Sequence, residues 1–318
     1  MSYDENQHRD PRPRPSRRGL VAVVAGAALV LGGAGGWLVW QADGNGGGAP
    51  AGSATSAGKP GGSRAPASSP APARSKPVPP PASSPVPSPS GKKSGPLAGK
   101  VVVVDPGHNP GNFSHTREIN RQVDIGTNRK ECDTTGTATS AGYREADFTL
   151  DVSRRLRTLL EKQGARVEFT QDGDRPFGPC IDERARFGNE AKADAVISVH
   201  ADGSAVGNRG FHVILPDRVK AGAADTSKIV GPSRELGERI AGRFLRATGS
   251  SPSNYVGGGT GLDVRKDLGG LNLSTVPKVF IECGNMRDPE DVALLTSPSW
   301  RQKAAQGMAD GISSYLQR

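Results

Sequence analysis

Along residues 99–318 the apolar positions change period repeatedly, and each change marks an element. Short continuous apolar runs read as strands covered on both faces: "KVVVVDPG" (100–107), "ARVEFT" (165–170), "DAVISVHAD" (194–202), "GFHVIL" (210–215) and "KVFIECGN" (278–285). Helical spacing lies between them. From Ala146 to Gln163 the apolar residues are Phe148, Val152, Leu156, Leu159 and Leu160, and Gly164 stands where a helix would stop. "CIDERARFGNEAKA" and "SRELGERIAGRFLRATG" predict two more helices, and residues 288–318 one or two. The alternation predicts an α/β class: a single domain with a mostly parallel sheet flanked by helices on both sides. Two polar stretches, 109–142 and 249–275, break the rhythm and are expected to be long loops near strand ends.

Upstream the pattern is different. Residues 19–41, "GLVAVVAGAALVLGGAGGWLVWQ", carry no charge and are long enough to cross a bilayer. Arg12, Arg14, Arg17 and Arg18 precede them, which keeps residues 1–18 cytoplasmic, and Trp37 and Trp40 stand where interfacial anchors would. An uncleaved transmembrane signal anchor fits this pattern. So does a signal peptide with a core at Leu20–Leu31 and small residues after it. Residues 42–98 are a Gly/Ser/Pro-rich linker: 13 of the chain's 26 prolines fall between Pro50 and Pro96, with almost no large apolar side chains to form a core. This leaves residues 99–318 as the catalytic or binding domain.

Charge narrows the partners. Of the net +9, residues 1–18 hold +2 and residues 42–98 hold +5, so residues 99–318 keep only +2. No nucleic-acid partner is expected from so weak a balance. The three cysteines, Cys132, Cys180 and Cys283, allow three pairings. Cys132 and Cys180 lie in loop-like sequence and Cys283 ends an apolar run, so a Cys132–Cys180 disulfide with Cys283 free is expected, three free thiols being the alternative.

In open α/β sheets, ligands gather beyond the carboxyl ends of the strands. Those ends here offer Asp105 and His108, His200, and Glu282, and Glu145 opens the helix after the first long loop. Two imidazoles and one carboxylate form a common catalytic zinc set, and a further carboxylate can take a proton from water. Glu145 and Glu282 fit these two roles. Each residue alone has a plainer reading: His108 as a turn residue, His200 as a core histidine, Glu145 as a helix-dipole partner. Glu282, in an apolar strand, is the hardest to explain that way. His115 and His212 do not lie at matching strand ends.

In this order, "VVVVDPGH", "GYREADFTLDV", "AVISVHAD" and "VFIECGN" resemble the zinc-dependent N-acetylmuramoyl-L-alanine amidases of the amidase-3 family, bacterial cell-wall hydrolases. The segments "GPCIDERA", "NRGFHV" and "GGLNL" resemble its compact mycobacterial-type branch, in which a disulfide joins the loops that carry Cys132 and Cys180 here. The resemblance covers nearly all of residues 100–318. It implies a six-stranded mixed sheet, one Zn2+ per chain on His108, Glu145 and His200, and Glu282 as general base and then acid. The implied substrate is peptidoglycan or a muramyl peptide, cut at the amide between the lactyl group of N-acetylmuramic acid and L-alanine. It places the catalytic domain, expected to be monomeric, outside the cytoplasm, held at the membrane or released into the cell-wall space. Asp105 is expected to steady an imidazole or the turn, and Arg265 and Asn272 to touch substrate. Cys283 departs from the branch, which suggests altered packing or a thiol near the metal. A non-catalytic peptidoglycan-binding regulator or a zinc peptidase acting on the stem peptide could use the same scaffold.

Overall fold

A computed structural model describes residues 94–318; residues 1–18, 19–41 and nearly all of 42–98 lie outside the described residues, and with them the anchor, leader and linker readings. In chain order the elements are β1 (Val101–Pro106), α1 (Thr116–Ile119), β2 (Gln122–Asp124), β3 (Arg129–Glu131), α2 (Glu145–Lys162), β4 (Arg166–Phe169), α3 (Ile181–Glu190), β5 (Ala195–Asp202), β6 (His212–Pro216), β7 (Lys220–Ala221), β8 (Ala224–Asp225), α4 (Val230–Thr248), β9 (Leu262–Arg265), α5 (Gly269–Asn272), β10 (Lys278–Asn285), α6 (Pro289–Leu295) and α7 (Pro298–Leu316). The main sheet has six strands in the order β4-β1-β5-β10-β6-β9. All neighbours are parallel except β10 and β6, so the sheet is mixed and mostly parallel, as expected.

The two faces of the sheet differ, and strand alternation sets the difference. Val102 and Val104 of β1, Ile197 and Val199 of β5, and Val279, Ile281 and Cys283 of β10 join the main apolar core beneath α2, α4 and α7. In α2 this face is Phe148, Val152, Leu156 and Leu160, each with no exposed surface; the four-residue spacing that predicts the helix is also what buries it. The opposite face carries Val103 and Val196 in a small cluster with Ala193. Beyond it this face turns polar: Asp105, Ser198, His200, Glu282 and His212 alternate onto it. Here α3 packs against Val196 through Gly188, and α5 packs beside Phe280 through Gly270.

The structure corrects the expectation of two long loops. Residues 109–142 contain α1 and the β2–β3 hairpin, and residues 249–275 contain α5 and β9, the sixth strand of the sheet. Cys132 and Cys180 are bonded, with a Cα–Cα distance of 4.2 Å, and Cys283 is free. Cys283 is buried in the apolar core on the far side of the sheet from Glu282, so it offers no thiol to the site. Among the described residues no helix is long and apolar enough to cross a membrane.

Candidate metal centre

β1 ends at Pro106, and the next two residues each have a steric reason to be what they are. A side chain at Gly107 would overlap the His200 ring at Cε1 and Nδ1, so only glycine lets β1 pass this close to β5. His108 then takes the left-handed conformation, with φ 59°, rare for a residue with a Cβ and a mark of local strain. The turn that holds it is tied down on both sides: Thr149 Oγ1 donates to Gly107 O at 2.6 Å, and Gln171 Nε2 donates to His108 O at 2.8 Å. Gly107→Ala is therefore expected to displace the His200 ring and lower turnover about 10²-fold, the scale of a 1 Å misplacement. Metal affinity, read by chelator competition, should fall with it.

His108, Glu145 and His200 come together, with one ligand atom from each lying within 4.8 Å of the others. Glu145 opens α2 and is buried; its Oε2 lies 3.2 Å from His108 Nε2 and its Oε1 3.0 Å from His200 Nδ1. Backbone amides steady the same carboxylate, Thr137 N to Oε2 at 3.0 Å and Ala201 N to Oε1 at 3.2 Å. The rings of His108 and His200 meet edge to face at 5.0 Å, and Phe280 stacks on His200 at 5.4 Å. A Cβ on Gly136 would come within 2.7 Å of the His108 ring and 2.9 Å of Glu145 Oε2, so this loop closes over the cluster only because it lacks a side chain there.

The outer nitrogen of His108 fixes its inner one. Nδ1 donates to Thr134 O at 3.1 Å and lies 3.6 Å from Asp133 Oδ1, so Nε2 is the nitrogen turned toward Glu145 and available to a cation. The sequence does not single out Asp133. Its neighbour Cys132 is the only hint, because the disulfide anchors its loop beside α3. Burial alone would raise Asp133, but Arg184 and His108 hold it down to about 2. Asp133→Asn keeps the shape and removes the charge; zinc affinity should fall about 10- to 100-fold, as measured by chelator competition.

The sequence suggests Asp105 as a partner for an imidazole or the turn; the structure gives it other neighbours. Asp105 is fully buried and accepts from Thr170 Oγ1 (2.6 Å), Arg184 Nη1 (2.7 Å), Ser198 Oγ (2.8 Å) and Lys278 Nζ (3.2 Å). The other amino group of Arg184 reaches Asp133 Oδ2 at 2.8 Å, and Arg184 Nη1 also holds Pro106 O at 2.7 Å. Asp105 thus bears on His108 through Arg184 and Asp133, in a buried network of two acids and two bases. Asn272 is buried, and its amide donates to Lys266 O at 3.0 Å and approaches Thr127 Oγ1 at 3.3 Å, so its amide nitrogen braces residues 266–272 rather than facing substrate. Arg265 is on the edge strand β9 and forms a two-pronged pair with Asp267, which holds that acid down to about 2.

Glu282 is half-buried on β10, in register with His200 on β5. Its Oε2 is sealed from solvent with no hydrogen-bond partner among the described residues. Burial, then the charges of Glu145 and Asp202, push its carboxyl well above the usual range. Burial opposes charge on His108 and Glu145 as well, yet their attraction prevails: His108 is raised and Glu145 lowered. Two histidine nitrogens, one ionised carboxylate and a second carboxylate with an unpartnered oxygen suit a divalent cation.

His212 stands beside this group without joining it. β6 runs antiparallel to β10, and this brings the start of β6, and so His212, level with Glu282. The signal is present in the sequence: residues 203–211 are too few for the crossover that a parallel strand requires. On the other flank is a cavity of about 210 Å³ lined by Asn109, Phe113, Gly136 and Arg144, the chain neighbours of His108 and Glu145 among them.

The Amidase_3 family, described as N-acetylmuramoyl-L-alanine amidase, matches residues 102–314. The chain is 40% identical over 222 residues to N-acetylmuramoyl-L-alanine amidase Rv3717 of Mycobacterium tuberculosis, across 69% of this chain and 88% of that protein. Among solved structures it is similar to the N-acetylmuramyl-L-alanine amidase Ami1 of Mycobacterium smegmatis, with TM-score 0.63 and 40% identity over 70% of this chain and 99% of that one. The apo form of Ami1 from Mycobacterium abscessus matches at TM-score 0.63 and 42% identity, over 69% of this chain and 100% of that one. With the family matching most of the chain and relatives this similar, the protein belongs to the Amidase_3 family, on its mycobacterial-type branch.

Proposed function

We propose that this chain is a zinc-dependent N-acetylmuramoyl-L-alanine amidase, hydrolysing the amide between the lactyl group of N-acetylmuramic acid and the L-alanine of the stem peptide. The observation that carries the reading is the convergence of His108 Nε2, His200 Nδ1 and a Glu145 oxygen beside the unpartnered Oε2 of Glu282, in an Amidase_3 domain. His108, Glu145 and His200 would hold one zinc ion. Bound there, the ion would acidify a water and polarise the lactyl carbonyl.

The protein's own groups do the rest. Asp133 and Thr134 hold the His108 ring so that Nε2 faces inward. The two amides on Glu145 keep its carboxylate aimed at both rings. Glu282, whose carboxylate takes no hydrogen bond among the described residues, accepts a proton from the attacking water and then delivers one to the departing alanine nitrogen. Arg265 on β9 is proposed to touch the peptide beyond Glu282, and Asn272, through Lys266 O, to brace the segment that follows β9.

The substrate places the enzyme outside the cytoplasm, and the Cys132–Cys180 disulfide fits an oxidising compartment. Residues 19–41 would carry it there as an anchor or a leader. Incubating the zinc-loaded full chain with a muramyl tripeptide tests the reading. The expected products are a free lactyl acid on the sugar and an intact tripeptide, identified by mass. Cleavage between amino acids would assign a peptidase instead.

A further inference from the structure

Three adjacent strands present a row of polar side chains on one face of the sheet. Glu282 pairs with His200 on one side and with His212 on the other, so His200, Glu282 and His212 stand in register across β5, β10 and β6. His108 extends the row beyond β1. The end at His212 has no role in the chemistry described above. The residue is 3% exposed; its Nδ1 is sealed from solvent without a partner, and Nε2 is not among the sealed atoms. Neither ring nitrogen makes a hydrogen bond to protein among the described residues.

A buried imidazole left unbonded is costly unless something else completes it. Its surroundings hold it in place without satisfying it. The Tyr255 ring meets it edge to face at 5.9 Å, and Tyr255 itself is fixed by donating to Asp202 Oδ2 at 2.6 Å. Burial keeps His212 in its neutral form, which has one N–H to donate and one lone pair to accept.

The order of the row sets the direction of the substrate. The carbonyl under attack belongs over the histidine ligands, and the nitrogen that receives a proton belongs over Glu282. The alanine then continues away from the ligands, toward β6. Its carbonyl oxygen is about 4 Å of covalent path from that nitrogen, and neighbouring strands are about 4.8 Å apart. We propose that His212, braced by Tyr255 and Asp202, is a substrate-binding residue whose Nε2, the ring nitrogen that is not sealed from solvent, donates a hydrogen bond to the carbonyl of the L-alanine residue leaving the muramyl group. The same contact would separate peptidyl amides from simple alkyl amides of the same sugar acid. This rests on the amidase reading above.

The test uses the zinc-loaded full chain and two substrates: N-acetylmuramoyl-L-alanyl-D-isoglutamine, and N-acetylmuramoyl ethylamide, which keeps the scissile amide and lacks the alanyl carbonyl. His212→Phe retains the ring volume beside Tyr255 and removes both nitrogens. It should lower kcat/KM on the dipeptide at least tenfold, mainly through KM, and leave the ethylamide within twofold of wild type. His212→Gln, which restores an N–H, should recover most of the loss. If the ethylamide is too slow to follow, dissociation constants of both compounds in a Glu282→Gln background should show the same selective loss. Equal loss on both compounds, or no loss on either, overturns the proposal. Failure of the underlying amidase reading is told apart by the wild type, which would then release no lactyl acid from the dipeptide.

Discussion

Glu282→Gln is expected to lower kcat about 10²- to 10⁴-fold while the chain still binds one zinc ion. The substitution keeps the volume and polarity of the side chain and removes only its ability to exchange a proton. No proposed ligand atom is lost, since the three donors that could hold the ion belong to His108, Glu145 and His200. Metal content by atomic spectroscopy and turnover on a muramyl peptide therefore separate in this variant. The wild type should also show an acid limb in its pH profile. Burial, Glu145 and Asp202 push Glu282 above its ordinary 4.5. A base works only when ionised, so activity should be lost as pH falls through that raised value, at a pH above 4.5. Loss of zinc along with activity in Glu282→Gln would show that Glu282 is a ligand and the assignment is wrong.

His200→Ala is expected to give the opposite pattern: a folded chain from which zinc is lost on dialysis and turnover with it. His200 offers one of the three proposed donor atoms and gives Glu145 Oε1 a 3.0 Å partner, so its removal also loosens the carboxylate. The apolar core is on the other face of the sheet and should survive, which a thermal melt can check. A His200→Ala chain that retained stoichiometric zinc would place the ion elsewhere.

Much of the site is legible in the sequence because its residues sit at the ends of strongly patterned elements. Four valines fix β1, two facing each way; the strand must stop at Pro106 and Gly107, and His108 is left at its end. The run "KVFIECGN" predicts β10 at its observed bounds, and with it the acid on the polar face. The parts that the sequence hides depend on pairing. β9 reads as loop because Leu262–Arg265 alternates weakly between glycines, and only its pairing with β6 makes it a strand. His212 looks misplaced because nothing in "GFHVIL" states which way the strand runs. The sequence suggests too direct a role for Asp105, since Arg184, the residue it holds, lies 79 positions away. Asp133 lies far in sequence from both His108 and Arg184, and the fold joins them.

The most direct measurement of the whole account is hydrolysis in ¹⁸O-labelled water by the full chain, stripped of metal and then reloaded with zinc. One ¹⁸O is expected in the lactyl carboxylate of the muramyl product, with an unlabelled stem peptide carrying a free alanine amine and no turnover until zinc is restored. Label in a peptide carboxylate, or cleavage that continues undiminished in the stripped chain, would contradict it.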